Sequence, residues 1–189
     1  MSVDLLHWRR TVAELYAAVR AAPDPATGHE LWRRGRDALF RTSPASPLQA
    51  DDPRRSAGLP VVPYDPAWRC EVPLEQADRE TRVLEGDVGM TRIGVLRTPW
   101  GSLDAWWLTD YSGGLFVPVK DATAGATSYG AGRYLLDTAK GADLGGNVVI
   151  DLNFLYHPSC AYDPRWSCPL APEGNVLNIA VPVGEQLAP

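Results

Sequence analysis

The 189-residue chain is long enough to form one domain with a substantial hydrophobic core. Its 23 acidic and 18 basic residues give a net charge of −5, which argues against nucleic acid as a partner because phosphate backbones favour basic surfaces. No apolar run is long enough to span a bilayer, and the N-terminus lacks the apolar core of a secretory signal. We therefore expect a cytoplasmic protein that does not associate with membranes, and the strong preference for arginine over lysine suggests a bacterial source.

Two helices are predicted at the N-terminus. Apolar residues spaced three and four apart in residues 4–21 form one stripe, which we expect to be buried against the β-rich part: Leu5, Trp8, Val12, Leu15, Tyr16 and Val19. Thr27 and Glu30 have the spacing of a capping box and predict a second helix that extends to about Phe40. A connector rich in Ser, Pro, Asp and Arg then ends the helical part, residues 4–41. The basic residues of the second helix are interpreted as a solvated face: Arg33, Arg34, Arg36 and Arg41.

From Leu59 onward the pattern is typical of short strands separated by Gly, Pro, Asp or Ser. The motif RTPWG at residues 97–101 predicts a hairpin connection. Pro73, Pro118 and Pro182 each remove a ladder donor, so we expect them at strand ends, edges or bulges. The predicted strands are Leu59–Pro63, Trp68–Leu74, Glu80–Leu84, Thr91–Arg97, Leu103–Leu108, Leu115–Val119, Asn147–Leu152 and Val176–Val183.

These elements predict an α+β fold in a single domain, residues 1–189. Two N-terminal helices would pack on an antiparallel β-barrel or sandwich within residues 58–189. The stretch 151–175 follows neither a helical nor an alternating period and is stiffened by proline, so it is predicted to be a long Pro/Cys-rich loop over one end. Because long ordered loops commonly carry function, this 151–175 loop is the predicted location of the functional site.

Three motifs in the second half of the chain resemble a known family. They are YGAGRYL at residues 129–135, D-x-N at residues 151–153 and PSCAYDPRWSCPL at residues 158–170. The chain resembles the DUF1684 family, a bacterial domain of unknown function, over most of its length, and the resemblance implies no established activity. The family pattern D-F-N-x-A-Y-N-P has Asn where this chain has His157. This departure argues against a metal site shared by the family and centred on this histidine, and it favours a specialised use of the imidazole.

His157, Cys160 and Cys168 admit three interpretations. As zinc ligands they lack a clear fourth partner, so no metal site is predicted. Cys160 and His157 are close enough in sequence to form a nucleophilic pair, which would also need a lowered thiol pKa and an oxyanion-stabilising group. Alternatively, both thiols are packed as small apolar groups. In each case we expect Cys160 and Cys168 to lie within disulfide range or near contact.

Charged and aromatic residues near the loop predict a small polar and aromatic pocket. Arg133 is expected either to pair with a carboxylate, for which Asp121 and Asp151 are the nearby charged candidates, and hold the loop, or to bind an anionic group of a substrate through its bidentate fork. Tyr129, Tyr156 and Asn153 are predicted to line the same pocket and bind the substrate. The alternative is that these side chains satisfy backbone groups of the loop.

The predicted function is that of a small-molecule enzyme of bacterial metabolism, with acid–base or nucleophilic chemistry at a pocket beside the 151–175 loop. The predicted catalytic residues are His157, Asp151, Cys160 and Tyr162, because histidine titrates near neutral pH and its neighbours offer acid, thiol and hydroxyl groups. No organic cofactor is expected. The alternative function is a non-catalytic β-barrel domain that binds a small ligand or is structural, and the sequence leaves a homodimer open.

Overall fold

The structure, a computed structural model, describes residues 3–83, 89–109, 114–135 and 147–188. Within these ranges, the α-helices precede the β-sheets. The helices are α1 (Val3–Arg20), α2 (Pro25–Thr42) and the short α3 (Arg54–Ala57). None of the helices in the described ranges combines the length and the apolar character that crossing a membrane requires.

Helix α2 begins at a different cap from the predicted one. The Asp24 carboxylate accepts a hydrogen bond of 2.8 Å from the Thr27 backbone N–H, and Pro25 occupies the first helical position. Glu30 instead pairs with Arg33 and Arg34 on the exposed side of the helix. The predicted capping box is therefore wrong, because an aspartate followed by proline starts the helix earlier.

In the described ranges, ten strands follow the α-helices and pair in antiparallel fashion. β4 pairs with β2, β3 and β5, and β5 also pairs with β6. A second sheet has the order β10-β8-β7, and β1 pairs with β9. The strands are β1 (Arg69–Val72), β2 (Leu74–Glu75), β3 (Thr81–Val83), β4 (Gly89–Thr98), β5 (Gly101–Leu108), β6 (Gly114–Phe116), β7 (Pro118–Val119), β8 (Arg133–Leu135), β9 (Val148–Asp151) and β10 (Leu155–Tyr156).

The predicted α+β architecture is confirmed: two N-terminal helices precede antiparallel sheets, the largest of which curls into a half-barrel. The predicted hairpin at residues 97–101 joins β4 to β5, where Thr98 pairs with Gly101. Gly101 has φ +136, a conformation that side chains other than glycine rarely adopt. The central core contains Leu96, Leu103, Ile150, Leu152 and Leu155, all fully buried.

Two of the predicted strands are wrong, and two observed strands were not predicted. Leu59–Pro63 makes a single bridge, from Val61 to Glu185, and Val176–Val183 forms no strand beyond a bridge at Val176. These segments lack some of the N–H groups that a continuous ladder needs, because they contain Pro60, Pro63 and Pro182. In their place β8 and β10 pair with each other, and β10 lies inside the 151–175 loop. The end of the predicted strand at Leu84 lies outside the described residues.

The apolar stripe of α1 is less buried than predicted. Val19 is buried, whereas Trp8, Val12 and Leu15 are half-buried. Helix α1 packs mainly on α2, and Leu15 lies over Gly35, whose missing side chain allows the close approach. The stripe faces a cavity between the helices and the 151–175 loop, so part of it remains accessible.

Candidate functional site

A buried carboxylate, Glu185, joins the two ends of the chain. Its side chain accepts hydrogen bonds from the Tyr162 hydroxyl at 2.5 Å and from the His157 backbone N–H at 2.9 Å. The Arg36 guanidinium lies 2.8 Å from the same carboxylate. Glu185 therefore connects α2 to two positions of the 151–175 loop, and its own side chain is only 1% exposed.

Arg36 belongs to the buried face of α2 rather than to its solvated face. Trp32 and Phe40 stand four residues before and after it, and both are buried in the same direction. The guanidinium carbon lies 5.6 Å from the Trp32 ring centre, 4.8 Å from Phe40 and 5.5 Å from Tyr156. The interpretation of all four arginines of α2 as solvated is thus wrong for Arg36, which is only 8% exposed.

The two terminal nitrogens of Arg36 differ in their contacts. Nη2 donates to the Tyr162 hydroxyl at 2.7 Å and pairs with Glu185. Nη1 is buried and has no hydrogen-bond partner among the described residues. Aromatic faces around the guanidinium offset part of the cost of this buried donor, but a hydrogen-bond acceptor would offset more.

Charge and burial act against each other within this cluster. Burial raises the pKa of Glu185, but the charge of Arg36 and the hydrogen bonds from His157 and Tyr162 outweigh it and leave the pKa at about 2. Burial lowers the pKa of Arg36, whereas Glu185 and Tyr162 raise it above its usual value. Burial also places the pKa of Tyr162 well above its usual range. The cluster is therefore a neutral unit: a charged pair with a protonated phenol between its members.

His157 is buried beside the same carboxylate. Its Nε2 accepts a hydrogen bond of 3.1 Å from the Tyr129 backbone N–H, which places the imidazole proton on Nδ1. Nδ1 then faces Glu185 Oε1 at 3.5 Å. Both ring nitrogens have protein neighbours, so the imidazole in this state holds the loop and offers no free base.

A cavity of about 210 Å³ opens next to this cluster, between the two long helices and the 151–175 loop. One wall is polar, with Arg36, His157, Ser159 and Tyr162. The other walls are aromatic and aliphatic: Trp8, Val12, Leu15, Tyr16, Trp32, Leu39, Phe40 and Tyr156. A concave, mostly apolar site with a few converging polar groups is the usual form of a small-molecule site.

Three of the residues predicted from the sequence line this cavity together. His157 and Tyr162, predicted as catalytic, and Tyr156, predicted to bind substrate, all contribute to its walls. Tyr129 is not among the residues that line the cavity, but it contacts His157. Its backbone N–H donates to the imidazole, and the centres of the two rings lie 6.2 Å apart. Their chemical roles remain predictions, since the geometry establishes their positions alone.

Asp151 and Asn153 lie elsewhere. Asn153 exchanges two hydrogen bonds of 2.8 Å with the backbone of Asp65, and its side chain also donates to Asp151. Asp151 accepts from Tyr64 at 3.2 Å and lines a separate cleft of about 420 Å³ with Arg69. Burial raises the pKa of Asp151 despite these hydrogen bonds.

Arg133 pairs with a carboxylate, as in the structural alternative, but its other contacts are to the C-terminal segment and not to the 151–175 loop. Its guanidinium is fully buried and pairs with Asp121 at 2.6 Å. It also donates to the backbone carbonyls of Val181, Val183 and Glu185 at 2.6 to 3.1 Å. These contacts hold the C-terminal segment against β8, and Arg133 is not among the residues that line the cavity.

The predicted proximity of the two loop thiols is confirmed. The Cys160 backbone N–H donates to Cys168 Sγ at 3.3 Å, and both thiols are free. Burial raises the pKa of Tyr129, and hydrogen bonding to Cys160 raises it further. Within the described part of the chain, no group of three or more His, Cys, Asp and Glu side chains is placed to hold a metal ion.

Sequence reasoning missed Arg36 and Glu185 as members of the site. Arg36 carried a usable signal, because it lies on the same helical face as Trp32 and Phe40 and is therefore expected to be buried. The sequence signal for Glu185 is weaker, because it follows Gly184 in a segment where no local pattern indicates burial. Their pairing depends on bringing both ends of the chain together.

The chain belongs to the DUF1684 family, described as a protein of unknown function, because the family profile matches residues 55–186. This confirms the resemblance based on the motifs. The matched region contains His157, Tyr162 and Glu185, whereas Arg36 and the two long helices precede it.

Among solved structures, the chain is similar to an uncharacterized protein from Haloarcula marismortui, determined by solution NMR. The two chains share 32% sequence identity with a TM-score of 0.61, and the match covers 82% of this chain and 90% of the other. A comparison with curated proteins found no match. The comparisons establish the family and the fold, and they name no activity.

Proposed function

We propose that the protein binds a small, mostly apolar molecule in the cavity between the helices and the 151–175 loop. The observation that carries this proposal is the combination of the cavity with Arg36, a buried wall residue whose Nη1 has no partner among the described residues. A buried donor without an acceptor costs about 1–3 kcal/mol, and more for a charged group. A ligand that supplies an oxygen atom to Nη1 recovers part of that free energy.

The charge of the cluster defines the chemistry of this oxygen. Glu185 already neutralises Arg36, so a fully ionised ligand would bring an unbalanced charge into a buried site at high cost. An uncharged carbonyl oxygen accepts the hydrogen bond without that cost. Because Nη1 is buried and the guanidinium carbon lies 4.8 Å from the Phe40 ring centre, we expect the aromatic wall to move aside when the ligand oxygen binds.

The size of the cavity limits the rest of the ligand. Apolar cavities of about 150 Å³ hold a benzene-sized molecule. At about 210 Å³, this cavity has room for one ring and a small polar substituent. The ligand class is therefore a single-ring or similarly compact molecule with one carbonyl group.

Benzamide is a suitable probe, and the indole signals of Trp8 and Trp32 in an NMR titration report on two cavity walls. We expect saturable shifts with benzamide and weaker binding of toluene, which lacks the acceptor, and of benzoate, which carries a charge. Val12→Phe fills the cavity and should weaken benzamide binding at least tenfold. Leu6→Phe, on the same helix at a 52% exposed position, is the matched control and should bind as the wild type does.

The absence of a saturable benzamide shift at millimolar concentration would contradict the proposal. Equal affinity in the Val12→Phe protein would place the binding elsewhere and contradict it as well.

A second candidate is acid–base chemistry without an organic cofactor, favoured by the presence of His157 and Tyr162 on the wall of the same cavity. His157 could act as a base if Nε2 were released from the Tyr129 N–H. Phenyl acetate, an uncharged carbonyl compound of similar size, is the probe. Removal of a general base typically costs 10²–10⁴-fold in rate, so His157→Gln should reduce hydrolysis by that factor. An unchanged rate in this variant would exclude His157 as the base.

A further inference from the structure

Cys160 and Cys168 form a contact pair inside the 151–175 loop. The Cys160 N–H donates to Cys168 Sγ at 3.3 Å. Cys160 lies in the 3₁₀ turn Ser159–Ala161, and Pro169 directly follows the second cysteine. Their approach is therefore imposed by the folded loop.

Neither loop cysteine is fully buried. Cys160 and Cys168 are half-buried, and neither is bonded to another cysteine. The remaining cysteine, Cys70, lies in β1, where its strand partner is Ile150 of β9 and not a residue of the loop pair. Burial raises the pKa of Cys70 to about 11, and it raises the pKa of Cys168 to about 11 as well. Thiol acidity therefore does not distinguish the loop pair from Cys70, and the contact between Cys160 and Cys168 does.

We propose that Cys160 and Cys168 are a redox modification site that forms an intraloop disulfide with an oxidant of the glutathione disulfide class. One loop thiolate attacks a sulfur of the oxidant, which breaks its S–S bond and releases one glutathione thiolate. The second loop thiolate then attacks the mixed disulfide and releases the second glutathione. Two cysteine thiols are oxidised by two electrons, and one glutathione disulfide is reduced to two glutathione thiols.

The disulfide would connect the cavity wall to the sheet. On one side, Cys160 stands between Ser159 and Tyr162, which both line the cavity. On the other, Pro169 accepts a hydrogen bond of 2.6 Å from the Tyr134 hydroxyl on β8. A bond between the two cysteines fixes the polar wall relative to β8. The modification itself does not depend on what the cavity binds.

The test treats the full chain in its native state with excess glutathione disulfide and counts free thiols. We expect the count to fall from three to one, with a mass loss of about two hydrogens and a Cys160–Cys168 link in the peptide map. Dithiothreitol should restore the three thiols. The Cys70→Ser control should form the same link, whereas Cys168→Ser should stop at a glutathione adduct on Cys160.

Three retained thiols, or stable glutathione adducts on both loop cysteines, would overturn the proposal. A denatured sample is the control for the effect of folding. It has the same cysteines, but the folded loop no longer holds Cys160 and Cys168 in contact. If the native protein links the loop pair no more selectively than the denatured chain does, the geometry has no role and the proposal fails.

Discussion

At the scale of single residues, the pair of Arg36 and Glu185 determines both the stability and the chemistry of the cavity wall. Isolated buried charges are expensive, so each member tolerates burial because the other is present. Tyr162 bridges the two and keeps its proton, since burial and the neighbouring carboxylate oppose ionisation. The one remaining donor of the cluster, Arg36 Nη1, is then the group through which a ligand would be recognised.

Replacing Arg36 by methionine should destabilise the protein strongly. The change leaves Glu185 buried without its cation, and breaking such a pair typically costs about 3–5 kcal/mol. The double variant Arg36→Met/Glu185→Gln should recover most of this loss, because no charge is then left unpaired. Urea denaturation measures all three free energies of unfolding.

Arg34→Met is the matched control on the same helix. Its side chain is 74% exposed and its ion pair is with Glu30 at the surface, so its effect should be below about 0.5 kcal/mol. A single Arg36→Met variant as stable as this control would show that the pair does not hold the two parts of the chain together.

At the scale of elements, sequence periodicity predicts the long helices and long strands well and the short strands poorly. β4 and β5 are long enough to show their pattern, and the hairpin between them was found at residues 97–101. β8 and β10 are too short for any period to appear. The apolar composition of residues 176–183 is typical of a strand. The end of this segment is instead held by hydrogen bonds from the Arg133 side chain to its backbone carbonyls.

The site shows the same division between local and long-range information. The composition of the 151–175 loop was enough to find His157, Tyr156 and Tyr162, because aromatic and titratable groups in a proline-stiffened loop are visible locally. A pocket beside this loop is predicted from the sequence, but its helical walls are not, since they arise where α1 packs on α2 and leaves its stripe incompletely covered. The error at Arg36 has a local cause: its spacing from Trp32 and Phe40 indicates the buried face of α2, but its charge led to its assignment to the solvated face.

Arg133 provides a prediction about how the C-terminal segment is held. Arg133→Lys keeps the charge for Asp121 but cannot reach the three carbonyls that the guanidinium contacts. Two or more buried hydrogen bonds are lost, so we expect about 2–4 kcal/mol of destabilisation by thermal or urea denaturation. Wild-type stability of this variant would mean that the C-terminal segment is held by its apolar contacts alone.

At the scale of the whole molecule, the helices and the β-rich part are joined by a contact that depends on pH. The pKa of Glu185 is lowered from 4.5 to about 2 in the folded state. A depressed carboxyl pKa adds stability that is fully present above 4.5 and lost as the pH falls towards 2. The shift corresponds to a contribution on the order of 3 kcal/mol.

Urea denaturation between pH 6 and pH 2 should therefore show a free energy of unfolding that falls below pH 5, and the fall should be smaller in Glu185→Gln. Glu30 is the control: its pKa is also lowered to about 2, mainly by a hydrogen bond from Arg33, but it is exposed, so Glu30→Gln should keep most of the fall. An identical pH dependence in the wild type and Glu185→Gln would contradict the assignment of this stability to Glu185.

The proposed role of Arg36 in ligand recognition is tested most directly by determining the structure of the protein with benzamide bound. We predict the ring inside the cavity against Trp8 and Val12 and the carbonyl oxygen within about 3.2 Å of Arg36 Nη1, with the contacts of Nη2 to Tyr162 and Glu185 retained. Benzamide bound outside the cavity, or inside it with Nη1 still lacking an acceptor, would contradict the account.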